Sequence, residues 1–167
     1  MTEDRYKRLM ETLGSKEVFV SLINAADRII TVTVFLGYVA GIIYLFFTGS
    51  ALVLPMILIP AIPFVLVSVF RRICDSKRPY EVYDTPPILK KDTRGKSFPS
   101  RHVFSIFIIG VSFYYLWPVV GTVILILGVI QAVIRVTGGV HFIRDVIAGA
   151  LFGVISGLVG FYLILPI

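Results

Sequence analysis

The sequence predicts an all-α bundle of about five transmembrane helices, preceded by an amphipathic helix at the membrane surface. Three observations carry that fold. The 167 residues are 57% hydrophobic with a mean hydropathy of +0.91, too apolar for a soluble domain. The apolar residues form long uncharged runs broken by short polar stretches. If those runs are threaded through a membrane as five spans, all sixteen basic and ten acidic residues fall on one face and none on the other.

Residues 1–28 read as the interfacial segment. Tyr6, Leu9, Met10 and Leu13 recur at helical spacing, with Arg5, Lys7, Arg8 and Glu11 on other faces. Gly14-Ser15 interrupts the pattern, and Ser15 is positioned to cap a second segment with Phe19, Leu22, Ile23 and Ala26. The remainder, 29–167, forms the transmembrane domain. Its first span, Ile29–Phe47, carries Gly37 and Gly41 as a small-residue pair for close helix approach. The second, Ala51–Phe70, contains Pro55, Pro60 and Pro63 and is expected to kink.

A polar segment, 71–97, follows and is expected to fold over the membrane surface as a cap. Its Tyr80 and Tyr83 read as residues of the aromatic belt. From His102 to Ile134 no Asp, Glu, Lys or Arg occurs, and Trp117-Pro118 with Gly121 splits that run into a hairpin of about 101–117 and 119–135. Val146–Ile167 is the fifth span, with Gly149, Gly153 and Gly157 as a packing stripe.

No cleavable signal sequence is expected, because the first 28 residues are polar and charged. Cys74 is the sole cysteine, which excludes an intrachain disulfide and a cysteine-based metal site. The net charge of +6 points to anionic lipid rather than nucleic acid, since the basic residues flank spans without an interleaved base-stacking pattern.

Chemistry concentrates in Arg135-Val136-Thr137-Gly138-Gly139-Val140-His141-Phe142-Ile143-Arg144-Asp145. Ionisable groups set between long apolar runs are costly and mark function. On a helix opening after Gly139, His141 and Asp145 share a face at i and i+4, so the carboxylate can fix the imidazole tautomer. Two further clusters reach the same membrane face: Arg71 with Arg78-Pro79, and Phe98-Pro99-Ser100-Arg101-His102. Guanidinium groups bind phosphate bidentately, Ser100 offers a hydroxyl, and N–H groups around 100–102 lie at a helix start that favours anions. The chain's two histidines both belong to this set. The chemistry they suit is attack on phosphorus by neutral His141, proton donation to the leaving oxygen by His102, and hydrolysis of the phosphohistidine by water. Arg72, Lys77, Lys90, Lys91, Lys96 and Arg144 read as interfacial anchors.

The order and spacing of these clusters resemble the type 2 phosphatidic acid phosphatase family, the lipid phosphate phosphatases. Arg71-x6-Arg78-Pro79, Pro99-Ser100-Arg101-His102 and Arg135-x5-His141-x3-Asp145 correspond to its three motifs over close to half the chain. The resemblance implies a metal-independent membrane phosphatase without cofactor. It makes His141 the nucleophile, Asp145 its partner and His102 the general acid, with Arg71, Arg78, Ser100 and Arg135 binding phosphate. Arg71 replaces a usual lysine, and Ile134 a usual serine. Arg101 replaces glycine, its side chain either turned away, leaving its N–H for phosphate, or touching the headgroup.

The substrate class so implied is a membrane lipid phosphate or diphosphate: phosphatidic acid, phosphatidylglycerol phosphate, an isoprenyl diphosphate or a glycolipid phosphate. Transfer of the phosphoryl group to another hydroxyl, and lipid-phosphate binding or transport without chemistry, are the alternatives. The expected location is the cell membrane. The positive-inside bias puts the charged face in the cytoplasm, while the resemblance implies the opposite side.

Overall fold

The computed structural model describes residues 2–91 and 93–165, and among these residues it contains helices and no strands. The helices are α1 (Glu3–Gly14), α2 (Glu17–Phe47), α3 (Val53–Cys74), the four-residue α4 (Pro79–Val82), α5 (Arg101–Leu116), α6 (Pro118–Thr137) and α7 (Ile143–Leu158). A π-helical stretch, Val159–Ile164, prolongs α7. Pro166 and Ile167, the end of the expected fifth span, lie outside the described residues, as does Met1.

α2, α3, α6 and α7 with its extension are each long and apolar enough to cross a membrane. α5 is shorter at 16 residues, about 24 Å at 1.5 Å per residue, and it is the centre of the bundle. It packs on both α6 and α7 and buries residues on every side, including Val103, Phe104, Ile108 and Phe113. The outward faces of the other helices expose Ile29, Phe35, Leu36, Ile62, Ile126 and Ile155. Such a band of large apolar side chains is a lipid-facing surface. The chain is a multi-pass membrane protein.

Local sequence sets the helix ends. Pro118 starts α6 one residue after α5 ends, since proline suits a first-turn position and ends the preceding helix. Trp117 alone links the two. Asp75, left-handed at φ 35°, stops α3 behind the cations Arg71 and Arg72. α3 runs through Pro60 and Pro63, whereas Pro55 sits in the first turn, where a missing N–H costs nothing.

Three expectations are corrected. Residues 17–28 are not a separate helix but the first turns of α2, an unbroken 31-residue helix, with Asp27 turned inward to Arg135 and Glu17 and Arg28 exposed. Ser15 does not cap α2. Its hydroxyl donates to the Thr12 carbonyl at 3.0 Å, closing α1 instead. Of the Gly37/Gly41 pair, only Gly41 meets a neighbour, the Phe113 ring, while Gly37 has open space around it.

The small residues of α7 do form a packing stripe. A Cβ on Gly149 would lie 2.5 Å from the Ser100 carbonyl oxygen, and one on Gly153 2.7 Å from that of Phe104. This close approach lets the Ser100 N–H donate to the Asp145 carbonyl at 2.8 Å, joining the starts of α5 and α7. Gly149→Ala is therefore expected to destabilise by about 1–3 kcal/mol, because backbone rather than a flexible side chain must yield. Gly37→Ala should be neutral or slightly stabilising, by up to about 1 kcal/mol. Thermal unfolding in detergent checks both.

α1 lies against the turn between α6 and α7. Tyr6 and Met10 are buried, and the Tyr6 hydroxyl donates to the Gly139 carbonyl at 3.0 Å. Gly139 has φ 78°, and any Cβ there would strike the Met10 sulfur and the Tyr6 hydroxyl. Tyr83 packs on Tyr6, with ring centroids 5.1 Å apart, and also against Phe142. Tyr80 donates to the Thr93 carbonyl within the cap. Both tyrosines thus hold the cap and its base together rather than serving only as a belt.

Candidate active site

A cavity of about 280 Å³ opens where the end of α3, the starts of α5 and α7, the end of α6 and the cap segment meet. Arg71, Arg78, Arg101, His102, Arg135 and His141 all line it. The three sequence clusters are therefore brought to one place. Lys91, Lys96 and Arg72 line it as well, so these expected anchors face the cavity instead. Lys77, Lys90 and Arg144 do not line it.

His141 follows the Gly138-Gly139 turn and is 2% exposed. Its N–H and that of Val140 both donate to the Arg135 carbonyl at 3.2 Å, tying the histidine to the helix end that carries the arginine. Asp145 sits in the first turn of α7, and its Oδ2 gathers three groups. The Phe142 N–H donates to it at 3.0 Å and the Ser97 hydroxyl at 2.5 Å, while His141 Nδ1 lies 3.4 Å away. Ser97 Oγ is also 3.3 Å from His141 Nδ1. A carboxylate and a hydroxyl on the Nδ1 side favour a hydrogen on that nitrogen, which leaves Nε2 with its lone pair. Ser97 was not evident from the sequence. Its one signal is position, two residues before Pro99 in a segment that must return to the base of α5.

Burial lowers the imidazole of His141 to about 4; the Asp145 hydrogen bond opposes this and Arg78 reinforces it. The ring is thus neutral across the ordinary pH range, the form a nucleophile needs. If it attacks phosphorus, the acid limb of kcat/KM that belongs to His141 should fall as pH drops through about 4, where the ring gains its proton, and not near the usual 6.5. Profiles on two substrates whose phosphate groups titrate differently would separate the enzyme's limb from the substrate's. An enzyme limb near 6.5 would contradict this assignment.

The arginines differ in what holds them. Arg71 donates to the carbonyls of Lys96, Ser97 and Pro99, which shapes the return of the cap to α5. Arg78 donates through Nε to Gly95 O at 3.0 Å and through Nη1 to Val140 O at 3.1 Å, so it bridges the cap and the histidine turn. Arg101 lies over the Phe64 ring, 5.5 Å from its centroid, on the border between the cavity and a second groove. Its side chain is thus neither turned away from the site nor inside it but at its lip.

Ser100 is fully buried, its Oγ has no hydrogen-bond partner among the described residues, and it does not line the cavity. Its N–H is taken by Asp145 O, so of the N–H groups around 100–102 those of Arg101 and His102 are the ones left for an anion at the start of α5. Lys91, on the cap, has its ammonium pushed below the ordinary lysine range by burial and then by Arg78 and Arg135.

The second groove, about 210 Å³, runs from Arg101 and His102 along Val34, Phe35, Phe64, Ile106 and Ile109 between α2, α3 and α5. It is apolar and begins where the cationic cavity ends. The two together suit a molecule with a phosphate at one end and a hydrocarbon at the other.

Comparison with known proteins agrees with this arrangement. The sequence pattern of the PAP2 superfamily matches residues 51–166. The bacitracin transport permease protein BcrC of Bacillus licheniformis is 32% identical over 111 residues, covering 64% of this chain and 55% of that protein. The chain thus spans little more than half the length of that curated relative. The crystal structure of Aquifex aeolicus LpxE superimposes with a TM-score of 0.65 at 27% identity, over 85% of this chain and 92% of that one. The first transmembrane PAP2 type phosphatidylglycerolphosphate phosphatase from Bacillus subtilis superimposes with a TM-score of 0.70 over 95% of this chain and 83% of that one. At 18% identity, that likeness is one of fold. With the family pattern covering well over half of its length, and that pattern's helical fold around it, this chain belongs to the PAP2 superfamily.

Proposed function

We propose that the protein is a phosphatase of the cell membrane that removes phosphate from a lipid phosphate or diphosphate through a phosphohistidine at His141. The observation that carries this reading is a histidine, braced by Asp145 at 3.4 Å, lining one cavity with His102, Arg78 and Arg135. The apolar groove adjoining that cavity supports a lipid as the substrate.

In the first step His141 Nε2 bonds to phosphorus, the ester P–O bond breaks, and the leaving oxygen takes from His102 a proton that this ring picks up as the phosphate anion binds beside it. In the second, water attacks phosphorus while His102 takes its proton, the P–N bond breaks, and His141 returns to its neutral form. Arg78, Arg135 and the N–H groups at the start of α5 bind the three peripheral oxygens as charge shifts onto them. Arg71 shapes the floor and Arg101 stands at the lip, whereas Ser100 lies buried beneath the cavity and supports it by joining the start of α5 to Asp145. Positive charge comes from guanidinium groups, so this scheme runs without a metal ion.

Phosphatidic acid, phosphatidylglycerol phosphate, an isoprenyl diphosphate and a glycolipid phosphate all share the required ends. The test is release of inorganic phosphate from each by purified protein in detergent with excess chelator. Chelator-resistant turnover of at least one is expected. No release from any of them, or activity only after a divalent cation is restored, would overturn the proposal.

A further inference from the structure

Arg135 is buried at 4% exposure, yet its guanidinium lines the cavity. It is held from behind by Asp27, a residue of α2 that lies 108 positions earlier. Arg135 Nε is 2.9 Å from Asp27 Oδ1, and Nη2 donates to Oδ2 at 3.2 Å. Nη2 makes the hydrogen bond, while Nε is in ion-pair contact only and has no hydrogen-bond acceptor among the described residues. The carboxylate occupies one edge of the planar fork and leaves Nη1 and the outer hydrogen of Nη2 for another ligand. Among the described residues, Nη1 has no hydrogen-bond acceptor.

The carboxylate is itself fixed. Gln131, one turn before Arg135 on α6 and fully buried, donates through Nε2 to Asp27 Oδ1 at 2.7 Å. The same nitrogen lies 3.5 Å from the Thr31 hydroxyl on α2. Among the described residues, no other arginine that lines the cavity is ion-paired to a carboxylate. Arg71 and Arg78 are held by neutral carbonyls instead. A buried arginine without a fixed partner could turn toward any nearby carbonyl or withdraw from the cavity. An acid at its Nε edge removes that freedom and aims the other edge.

We infer that Asp27 is a positioning residue for the reaction, holding the guanidinium of Arg135 so that its outer edge faces the phosphoryl group. Resting on the phosphatase reading above, the inference makes α2 part of the active site, although no motif residue lies on it. It also accounts for Gln131, the one glutamine of the chain, in the middle of an apolar span.

The test is a double-mutant cycle on the full chain, read both by kcat/KM on a lipid phosphate and by binding of inorganic phosphate in the absence of turnover. Asp27→Ala and Arg135→Ala should each weaken phosphate binding about tenfold or more and lower kcat/KM by 10-fold to 100-fold. Joined in one chain, they should do no more than Arg135→Ala alone, because Asp27 acts through that arginine. Asp27→Asn, which keeps the shape and one acceptor, guards against a folding defect and should lose affinity with an unchanged unfolding temperature.

Fully multiplicative losses in the double variant would overturn the inference. So would phosphate affinity and kcat/KM within twofold of wild type for Asp27→Asn and Asp27→Ala. The phosphatase reading itself fails in a different way: wild-type protein that neither binds phosphate nor releases it from any lipid.

Discussion

His141→Ala is expected to lower kcat/KM by about 10⁴-fold or more, with folding close to wild type. The loss is large because the imidazole supplies the electron pair that bonds to phosphorus. The arginines and N–H groups that remain can still bind phosphate but have nothing to transfer it to. Phosphate affinity should therefore change far less than kcat. Folding should survive, because Asp145 keeps its bonds from Ser97 and Phe142 and no buried carboxylate is orphaned. The measurement is turnover together with trapping of labelled enzyme by an alkaline detergent quench. Wild type should give an acid-labile, alkali-stable phosphoryl label that the variant lacks. A variant within tenfold of wild type would remove His141 from the nucleophile role.

Asp145→Asn should be the next most damaging change, lowering kcat by about 10²-fold to 10⁴-fold. Its oxygen could still receive the Phe142 and Ser97 donors, so the first turn of α7 should hold. What disappears is the negative charge beside His141 Nδ1, 3.4 Å away. That charge favours the tautomer with a bare Nε2 and balances the positive ring once phosphorus is attached. Single-turnover kinetics should show slower formation of the labelled enzyme, with phosphate affinity altered less than about threefold. A variant whose defect lies in phosphate affinity alone would show that Asp145 shapes the cavity without steering the imidazole.

Much of this was legible in the chain because transmembrane helices announce themselves by length and charge. The hairpin at Trp117-Pro118 and the glycine stripe of α7 follow from composition and local sterics. The motif residues could be read together because each cluster is contiguous, or nearly so, and all sit at helix ends on one membrane face. What stayed hidden depends on pairs distant in sequence. Asp27 reads as one more charge before the first span, and only the packing of α2 on α6 brings it to Arg135. Ser97 is a serine in a polar loop until the return to α5 sets it against Asp145. The places of Arg72, Lys91 and Lys96, expected as interfacial anchors, were misread for a related reason. The same side chain can seek a carbonyl, a headgroup or a cavity, and the fold of the cap decides which.

The contact of Tyr6 and Met10 with Gly139 has a practical side. No residue of α1 lines the cavity, yet this helix backs the turn on which His141 is mounted. Trimming the first fourteen residues, or crowding them with a bulky fusion partner, would slacken that turn. The resulting enzyme would look chemically crippled with every reactive side chain intact, so a tag for purification belongs elsewhere.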